Sequence, residues 1–388
     1  MGLGTAAFDD FSLYWAVQLV VVVGGFLPLE QIVARRRAGG ATPPVLAAWA
    51  VRWGLCTAAA GTLAFVLVMA VADRDGRGPW GLTAVLAVNL VATTWQSMLR
   101  GFAAGSGRLD VYALMTSTDG ILRTGLCGML VVAGVDRVEA YAGAIALGCW
   151  GSVLLGSRGL GRQADPAPGN AAPHLRPGSL SLEALSLVPA MFGMQLLLNS
   201  PVLLAPDQPS AGTSAGALLA ISSLVRTSVF VMQAGQAAYV APIAGHVARR
   251  DVRAVHMTAV VAVGTMALAL ATAVGAAALG PWLVELLYGA DFVVGARLCL
   301  AVGGGVAVFL LAIVANDLAV AWGAHRFSGL SWLTGVTAAV VAVPLLPAGD
   351  ARAVTPIAIG SAIALLLTVL GARGVRSERR AGGPHPLS

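Results

Sequence analysis

The sequence contains no lysine, so all 24 of its basic residues are arginine, and Asp, Glu, Lys and Arg together make up only 11% of the 388 residues. It has four cysteines, all inside apolar runs and none in a C-x-x-C pair, which argues against a disulfide framework. The five histidines have no metal-ligand spacing, and H-E-x-x-H, P-loop and nucleophile-elbow patterns are missing. The sequence therefore predicts no metal, no cofactor and no enzyme activity.

The sequence is instead rich in apolar residues. They make up 57% of the chain, and the mean hydropathy is +0.82, far above that of a soluble domain. Apolar runs about twenty residues long recur along its whole length, with Gly and Ala inside them. The pattern predicts an all-α polytopic membrane protein with about eleven transmembrane helices. They are expected at 12–34, 46–72, 80–103, 110–134, 138–156, 182–205, 212–247, 254–280, 293–322, 328–346 and 354–372.

The arginines give the orientation of these helices. Most of them fall in the loops after the odd-numbered helices and in the C-terminal tail, whereas the other loops carry more Asp and Glu. By the positive-inside rule, we expect the N-terminus outside and the C-terminus in the cytoplasm, in a multi-pass protein of the plasma membrane. The net charge of +6 is then a signal of topology, and we expect no nucleic-acid partner.

The hydrophilic stretch in the middle of the chain separates two groups of helices. We predict an N-terminal lobe of five helices at 1–157, a cytoplasmic linker at 158–181, a C-terminal lobe of six helices at 182–372 and a disordered cytoplasmic tail at 373–388. The segment LPLEQIVARRRA resembles YVAPIAGHVARRD, and LRGFAAGSGRLDVYA lies at the corresponding distance as NDLAVAWGAHRFSGL. These similarities predict two homologous bundles, of which the first lacks its opening helix.

Arg226 is the only formal charge between Asp207 and Arg249. A helix that starts near Gly212 places it roughly 20 Å into a hydrocarbon core about 30 Å thick. A charge at that depth costs at least ~2.5 kcal/mol, so the side chain must face a polar cavity or a partner. The two interpretations that we consider are a substrate-binding arginine and a structural ion pair with a carboxylate on another helix.

Four charged residues of the first lobe are further candidates. Asp119 and Arg123 are spaced i, i+4 and can pair on one helix face, or Arg123 can bind a ligand. Glu30 follows a proline-broken apolar segment. It could gate a pathway, pair with Arg100, or form an ion pair at the cytoplasmic rim.

The second lobe adds amides and one acidic residue. Gln195 and Asn199 lie on the sixth predicted helix, and Gln236 lies on the seventh. Such amides join helices by hydrogen bonds worth only ~1 kcal/mol each, or they face substrate. Asp317 occupies the position in the second repeat that Arg100 occupies in the first, so a salt bridge between them is a candidate gate.

Four stretches together resemble the polysaccharide flippases of the multidrug/oligosaccharidyl-lipid/polysaccharide exporter (MOP) superfamily. They are DFSLYWAVQLVVVVGGFLPLEQIVARR, LRGFAAGSGRLDVYALMTSTDGILR, LVRTSVFVMQAGQAAYVAPIAGHVARRD and LLYGADFVVGARLCL. The resemblance implies two lobes around a cationic cavity, with Arg226 at the position of a cavity arginine and Arg123 as a candidate on the opposite lobe. It also implies that an undecaprenyl-pyrophosphate-linked oligosaccharide moves to the outer leaflet by alternating access.

The resemblance also shows one departure, because Met1 falls where the second helix of the family begins. The partners that the resemblance implies for this protein are the bilayer, the lipid-linked glycan, and a polysaccharide polymerase or glycosyltransferases. Three alternatives stay open: a cation-coupled multidrug exporter of the same superfamily, a membrane enzyme that uses polyprenyl-linked sugars, and a non-transporting scaffold.

Overall fold

The structure is a computed structural model that describes residues 5–72, 80–161, 177–205, 214–249, 251–289, 292, 294–322 and 325–380. Its helices are α1 Thr5–Val21, a π-helical turn Val22–Phe26, α2 Leu27–Ala38, α3 Pro43–Ala72, α4 Trp80–Gly105, α5 Leu109–Val132, α6 Val138–Gly161, α7 Pro177–Leu203, α8 Ala215–Ala248, α9 Arg253–Tyr288, α10 Ala296–Ala321, α11 His325–Ala342 and α12 Asp350–Arg380. Each predicted helix coincides with one of these, and α1, the π turn and α2 together form the first. The all-α prediction is confirmed.

Within the described part of the chain, nine helical segments are long and apolar enough to cross a bilayer. The predicted fourth helix, α5, is not among them and carries Asp119 and Arg123 in its middle. The apolar stretch that comprises most of α11 and the 3-10 turn after it, Gly329–Leu345, is shorter than those nine. Large apolar side chains on α9, such as Val263 and Leu270, stay exposed, as expected for a helix that faces lipid.

The chain divides into two compact units, Met1–Gln195 and Leu196–Ser388. In the first, α4 packs against α2, α3 and α6, and α5 packs against α6. In the second, α10 packs against α8, α9 and α12, and α11 packs against α12. The same order of helix pairing therefore occurs in both units, which agrees with two homologous bundles.

The boundary between the units lies inside α7, after the segment 158–181 that we predict as the linker. The first turns of α7 are held to the first unit by Glu183, which accepts from Arg36 at 2.6 Å and pairs with Arg35 at 2.9 Å. The indole N–H of Trp49 also donates to Ser181 at 3.1 Å. Helix α6 continues to Gly161, so both ends of the predicted linker are helical, and 162–176 lie outside the described residues.

The C-terminal tail that we predict from residue 373 also differs from the structure. Helix α12 continues to Arg380, and only the remaining 381–388 lie outside the described residues. Several arginines fall in this last part of α12.

Two glycines let α4 approach α2 closely. A Cβ atom at Gly101 would lie 2.8 Å from the carbonyl oxygen of Glu30 and 2.8 Å from Cβ of Val33, and a Cβ at Gly105 would meet the carbonyl of Ala34. Small residues spaced i, i+4 commonly let membrane helices pack in this way. Since the contacts include backbone carbonyl oxygens of α2, which cannot turn away as a flexible side chain can, a side chain here has to push the two helices apart.

Gly101→Ala is accordingly expected to lower the thermal unfolding temperature of the purified protein, because overpacking costs about 1–3 kcal/mol. Gly120→Ala is the matched control, since a Cβ at that position of α5 meets nothing within 4 Å. It should leave the unfolding temperature unchanged or slightly higher, because alanine favours helix over glycine. Equal unfolding temperatures for the two variants would contradict the close approach of α4 and α2.

Candidate functional site

Arg226 lies within Ala215–Gln233, an apolar segment of α8 long enough to cross the membrane. The residue is only 3% exposed. Its Nη2 atom donates to the carbonyl oxygen of Leu198 at 2.9 Å and to Oδ1 of Asn199 at 2.7 Å. Helix α7 therefore holds the guanidinium through two neutral oxygens from consecutive residues.

The proline near the end of α7 shapes this binding segment. Pro201 has no N–H and leaves the carbonyl of Leu197 without its usual helical donor. The hydroxyl of Ser200 donates to that carbonyl instead, at 2.8 Å. The helix ends at Leu203, so the residues that contact Arg226 lie in the last two turns of α7.

The charge of Arg226 has no anionic partner among the residues that the structure describes. Its two hydrogen bonds go to an amide and a backbone carbonyl, and its Nε atom is buried without a hydrogen-bond partner. Breaking or omitting one half of a buried pair leaves an uncompensated charge that is costly in a low-dielectric surrounding. Among the described residues, Arg226 therefore does not form the structural ion pair of the second interpretation, and its role toward a ligand is still a prediction.

The other two amides predicted to bind substrate, Gln195 and Gln236, differ in their surroundings. Gln195 is buried one turn before Asn199 on α7. The side chain of Gln236 donates instead to Oδ1 of Asp317, at 2.8 Å. The structure therefore brings Asn199 to Arg226 and places Gln236 in a second polar cluster.

That second cluster is built around Asp317 on α10, which is 7% exposed. The hydroxyl of Tyr239 donates to Oδ2 at 2.7 Å, and Gln236 donates to Oδ1. Both donors come from α8, so the cluster joins the two helices. Within the described residues these donors are neutral, and the gate between Asp317 and Arg100 stays a prediction.

In the first unit, Glu30 and Arg100 lie together as one of the sequence interpretations expects. Nε of Arg100 is 3.5 Å from Oε2 of Glu30. The hydroxyl of Tyr112 donates to Oε1 of Glu30 at 2.9 Å, accepts from Nη2 of Arg100 at 3.2 Å, and its ring lies 5.0 Å from the Arg100 guanidinium carbon. The three side chains connect α2, α4 and α5.

Asp119 and Arg123 form the expected pair on one face of α5. Nη2 of Arg123 donates to Oδ1 at 2.9 Å and to Oδ2 at 3.0 Å of Asp119. The guanidinium carbon also lies 5.8 Å from the ring of Trp15. Arg123 thus has a carboxylate of its own, unlike Arg226, and its role toward a ligand is still a prediction.

The turn between α8 and α9 is held by a carboxylate. Asp251 accepts from the backbone N–H of Arg253 at 2.9 Å and lies 2.9 Å from Nδ1 of His246. The hydrogen bond from Arg253 is the main reason that the pKa of Asp251 lies below its ordinary value. The bond fixes the first residues of α9 beside the end of α8.

The sequence reasoning missed the partners Tyr112, Tyr239 and Glu183. Tyr112 follows Arg100 across the short turn between α4 and α5, and Tyr239 lies one turn after Gln236 on α8. Aromatic hydroxyls near charged residues in apolar helices could have signalled both. Among the described residues, no group of three or more His, Cys, Asp or Glu could hold a metal ion.

No family model matches the sequence. It is 25% identical over 382 residues to "Uncharacterized protein Rv1510" of Mycobacterium tuberculosis (strain ATCC 25618 / H37Rv), which covers 95% of this chain and 84% of the relative. It is 24% identical over 277 residues to "Uncharacterized protein Rv3630" of the same organism, covering 69% of this chain and 61% of the relative. Neither name states an activity.

The fold is similar to that of solved transporters. An inward-facing multidrug resistance MATE family transporter of the MOP superfamily aligns with a TM-score of 0.72, 13% identity, and coverage of 97% of this chain and 91% of the other. MATE in complex with MaL6 aligns with a TM-score of 0.64 and 14% identity, and the alignment covers 98% of this chain and 90% of the other. The third is a MOP superfamily transporter from Pyrococcus furiosus, described by the reverse polarity of its binding pocket. It aligns with a TM-score of 0.60 and 14% identity, and the alignment covers 98% of this chain and 90% of the other. The chain therefore has the two-bundle MATE fold of multi-pass membrane proteins.

Proposed function

We propose that this protein is a flippase, which moves an undecaprenyl-pyrophosphate-linked oligosaccharide from the cytoplasmic to the outer leaflet of the plasma membrane. The observation that carries the proposal is Arg226, a buried guanidinium held by neutral oxygens. The fold supports membrane transport, and the sequence resemblance to polysaccharide flippases supports this class of substrate. A fold alone does not select a substrate, so the charge of the site is the stronger argument.

The chemistry of the substrate fits a fixed cation inside the membrane. A pyrophosphate headgroup carries at least two negative charges and cannot cross hydrocarbon without compensation. A guanidinium binds phosphate oxygens in a fixed, often bidentate geometry, and the two bonds from Nη2 leave its other N–H groups for a ligand. The polyprenyl tail needs no protein site, because it stays in the lipid.

In this proposal, the remaining predicted residues have supporting roles. Asn199, Gln195 and Gln236 join Arg226 in contacting the substrate, together with Arg123 of the first unit. The ion pairs of the first unit and Asp317 act in gating. The arginine-rich loops face the cytoplasm, and the protein alternates between two accessible states. A glycosyltransferase supplies its substrate, and a polysaccharide polymerase consumes its product.

The proposal is tested in a deletion strain. Lipid-linked oligosaccharide is extracted and measured by mass spectrometry, and its leaflet is determined in spheroplasts with an impermeant lectin. We expect accumulation on the cytoplasmic side, cleared when the wild-type gene is restored and unchanged with an empty vector. A deletion strain without accumulation would overturn the flippase proposal.

Asp317 supports a second candidate, a cation-coupled multidrug exporter. Its carboxylate is buried and has neutral donors, as a site for a coupling ion would require. Solved proteins of this fold include multidrug transporters. The exporter would make cells extrude ethidium in an ion-gradient-dependent way, and Asp317→Asn would stop it. Wild-type cells that extrude ethidium no faster than the deletion strain would reject this candidate.

A further inference from the structure

We propose that Asn199 determines specificity by being neutral. Its side chain fixes the guanidinium of Arg226 with a hydrogen bond but leaves the positive charge uncompensated, so that an oxyanion of the phosphate or pyrophosphate class can serve as the counter-ion. The inference rests on the proposed function because it concerns the same guanidinium. It adds Asn199 as a residue that positions the guanidinium, and it explains why this side chain is an amide.

The geometry makes Asn199 a firm support. Nη2 donates both to its Oδ1 atom and to the carbonyl of the preceding residue, Leu198, so one nitrogen is held at two points. The hydroxyl of Ser200 also satisfies the carbonyl of Leu197, which Pro201 leaves without a helical donor, so the backbone beside Asn199 keeps its hydrogen bonds. The guanidinium is thus oriented before any ligand arrives, which lowers the entropic cost of binding.

The other arginines of the helical interior show the contrast. Arg100 lies 3.5 Å from the carboxylate of Glu30, and Arg123 lies 2.9 Å from that of Asp119. Among the described residues, Arg226 is more buried than either and yet faces an amide where those two face an acid. An aspartate has nearly the shape of an asparagine, so steric fit does not explain the amide. Its neutrality preserves the charge.

The test compares Asn199→Asp with Asn199→Ala in the purified full-length protein reconstituted in nanodiscs. Thermal unfolding is followed as inorganic pyrophosphate is added at constant ionic strength. We expect pyrophosphate to raise the unfolding temperature of the wild type in a saturable way. Asn199→Asp should unfold at a higher temperature without ligand and bind pyrophosphate at least about tenfold more weakly, because the new carboxylate competes for the guanidinium. Asn199→Ala keeps the charge and should lose only a few-fold in affinity.

Ser214→Asp is the matched control for the added negative charge. Ser214 accepts from the N–H of Ala217 as the N-cap of α8, and aspartate is an equally good cap. The new charge lies about 18 Å along the helix from Arg226. This variant should bind pyrophosphate like the wild type.

Two results would overturn the inference: pyrophosphate affinity in Asn199→Asp equal to that of the wild type, or a loss of about tenfold or more in Asn199→Ala. The second test remains valid if Asn199→Asp does not fold. A pyrophosphate effect only as large as that of sodium chloride would show an adventitious ion only, and would also overturn it. If the variants behave as expected but the deletion strain accumulates no lipid-linked oligosaccharide, the anion site stands and the flippase proposal falls. If the deletion strain accumulates the oligosaccharide and the Asn199→Asp variant clears it as fully as the wild type does, the flippase proposal stands and the role of Asn199 falls.

Discussion

Arg226→Ala is expected to abolish complementation of the deletion strain, with a loss of transport of at least about 30-fold. The magnitude follows from the cost of removing one partner from a buried, hydrogen-bonded charge interaction, which is 2–5 kcal/mol or more. The protein should still insert and fold. Removing a charge from the apolar segment relieves roughly 2.5 kcal/mol on the insertion scale, which offsets the two lost hydrogen bonds.

Two further variants separate charge from geometry. Arg226→Lys keeps the charge but loses the planar set of donors, so we expect transport between that of the wild type and Arg226→Ala. Arg373→Ala removes an exposed arginine from α12 and should complement fully. The amount of protein in the membrane fraction is measured for each variant. Full complementation by Arg226→Ala at normal membrane levels would contradict the role that we assign to this residue.

Glu30→Ala is expected to lower the stability of the first unit by about 2 kcal/mol. The substitution leaves Arg100 without its carboxylate and the hydroxyl of Tyr112 without its acceptor. Breaking a fully buried ion pair costs about 3–5 kcal/mol. The side chain of Arg100 is 22% exposed, so water offsets part of that cost. The measurement is thermal unfolding in detergent.

A double-mutant cycle then tests the coupling. The variant with both Glu30→Ala and Arg100→Ala removes the whole pair and should be more stable than the sum of the single effects predicts. Glu30→Gln keeps an acceptor for Tyr112 and should cost less than Glu30→Ala. Strictly additive single effects would mean that the two charges do not stabilise each other.

The number and order of the helices were predictable because each apolar run is long and the charges between runs are few. The positions of the helix ends were less so, as α12 shows, since arginines near a helix C-terminus can be read either as tail or as the last turns of the helix. The unit boundary inside α7 was not visible either. The contacts of the first turns of α7 with the first unit join Glu183 to Arg35 and Arg36, and Arg36 lies 147 residues earlier in the sequence.

The candidate site was predictable in part. A lone arginine in an apolar run identified Arg226, and the i, i+4 spacing identified the pair of Asp119 and Arg123. The partner of Arg226 was not determined, because Asn199 is only one of several amides in neighbouring helices. Nothing in the local pattern says which helix face turns toward which neighbour, and that choice decides whether a buried charge is neutralised.

The π-helical turn Val22–Phe26 changes how the pattern of the first helix should be read. In an uninterrupted α-helix, Glu30 would lie about 160° around the axis from Tyr14. The residue inserted by the π turn reduces this angle by about 100°, so Tyr14 and Glu30 lie on a similar side of the helix. Both side chains are buried. A helical wheel drawn from α1 through α2 would therefore assign Glu30 to the wrong face. The acid reaches Arg100 and Tyr112 because the helix is wound differently just before it.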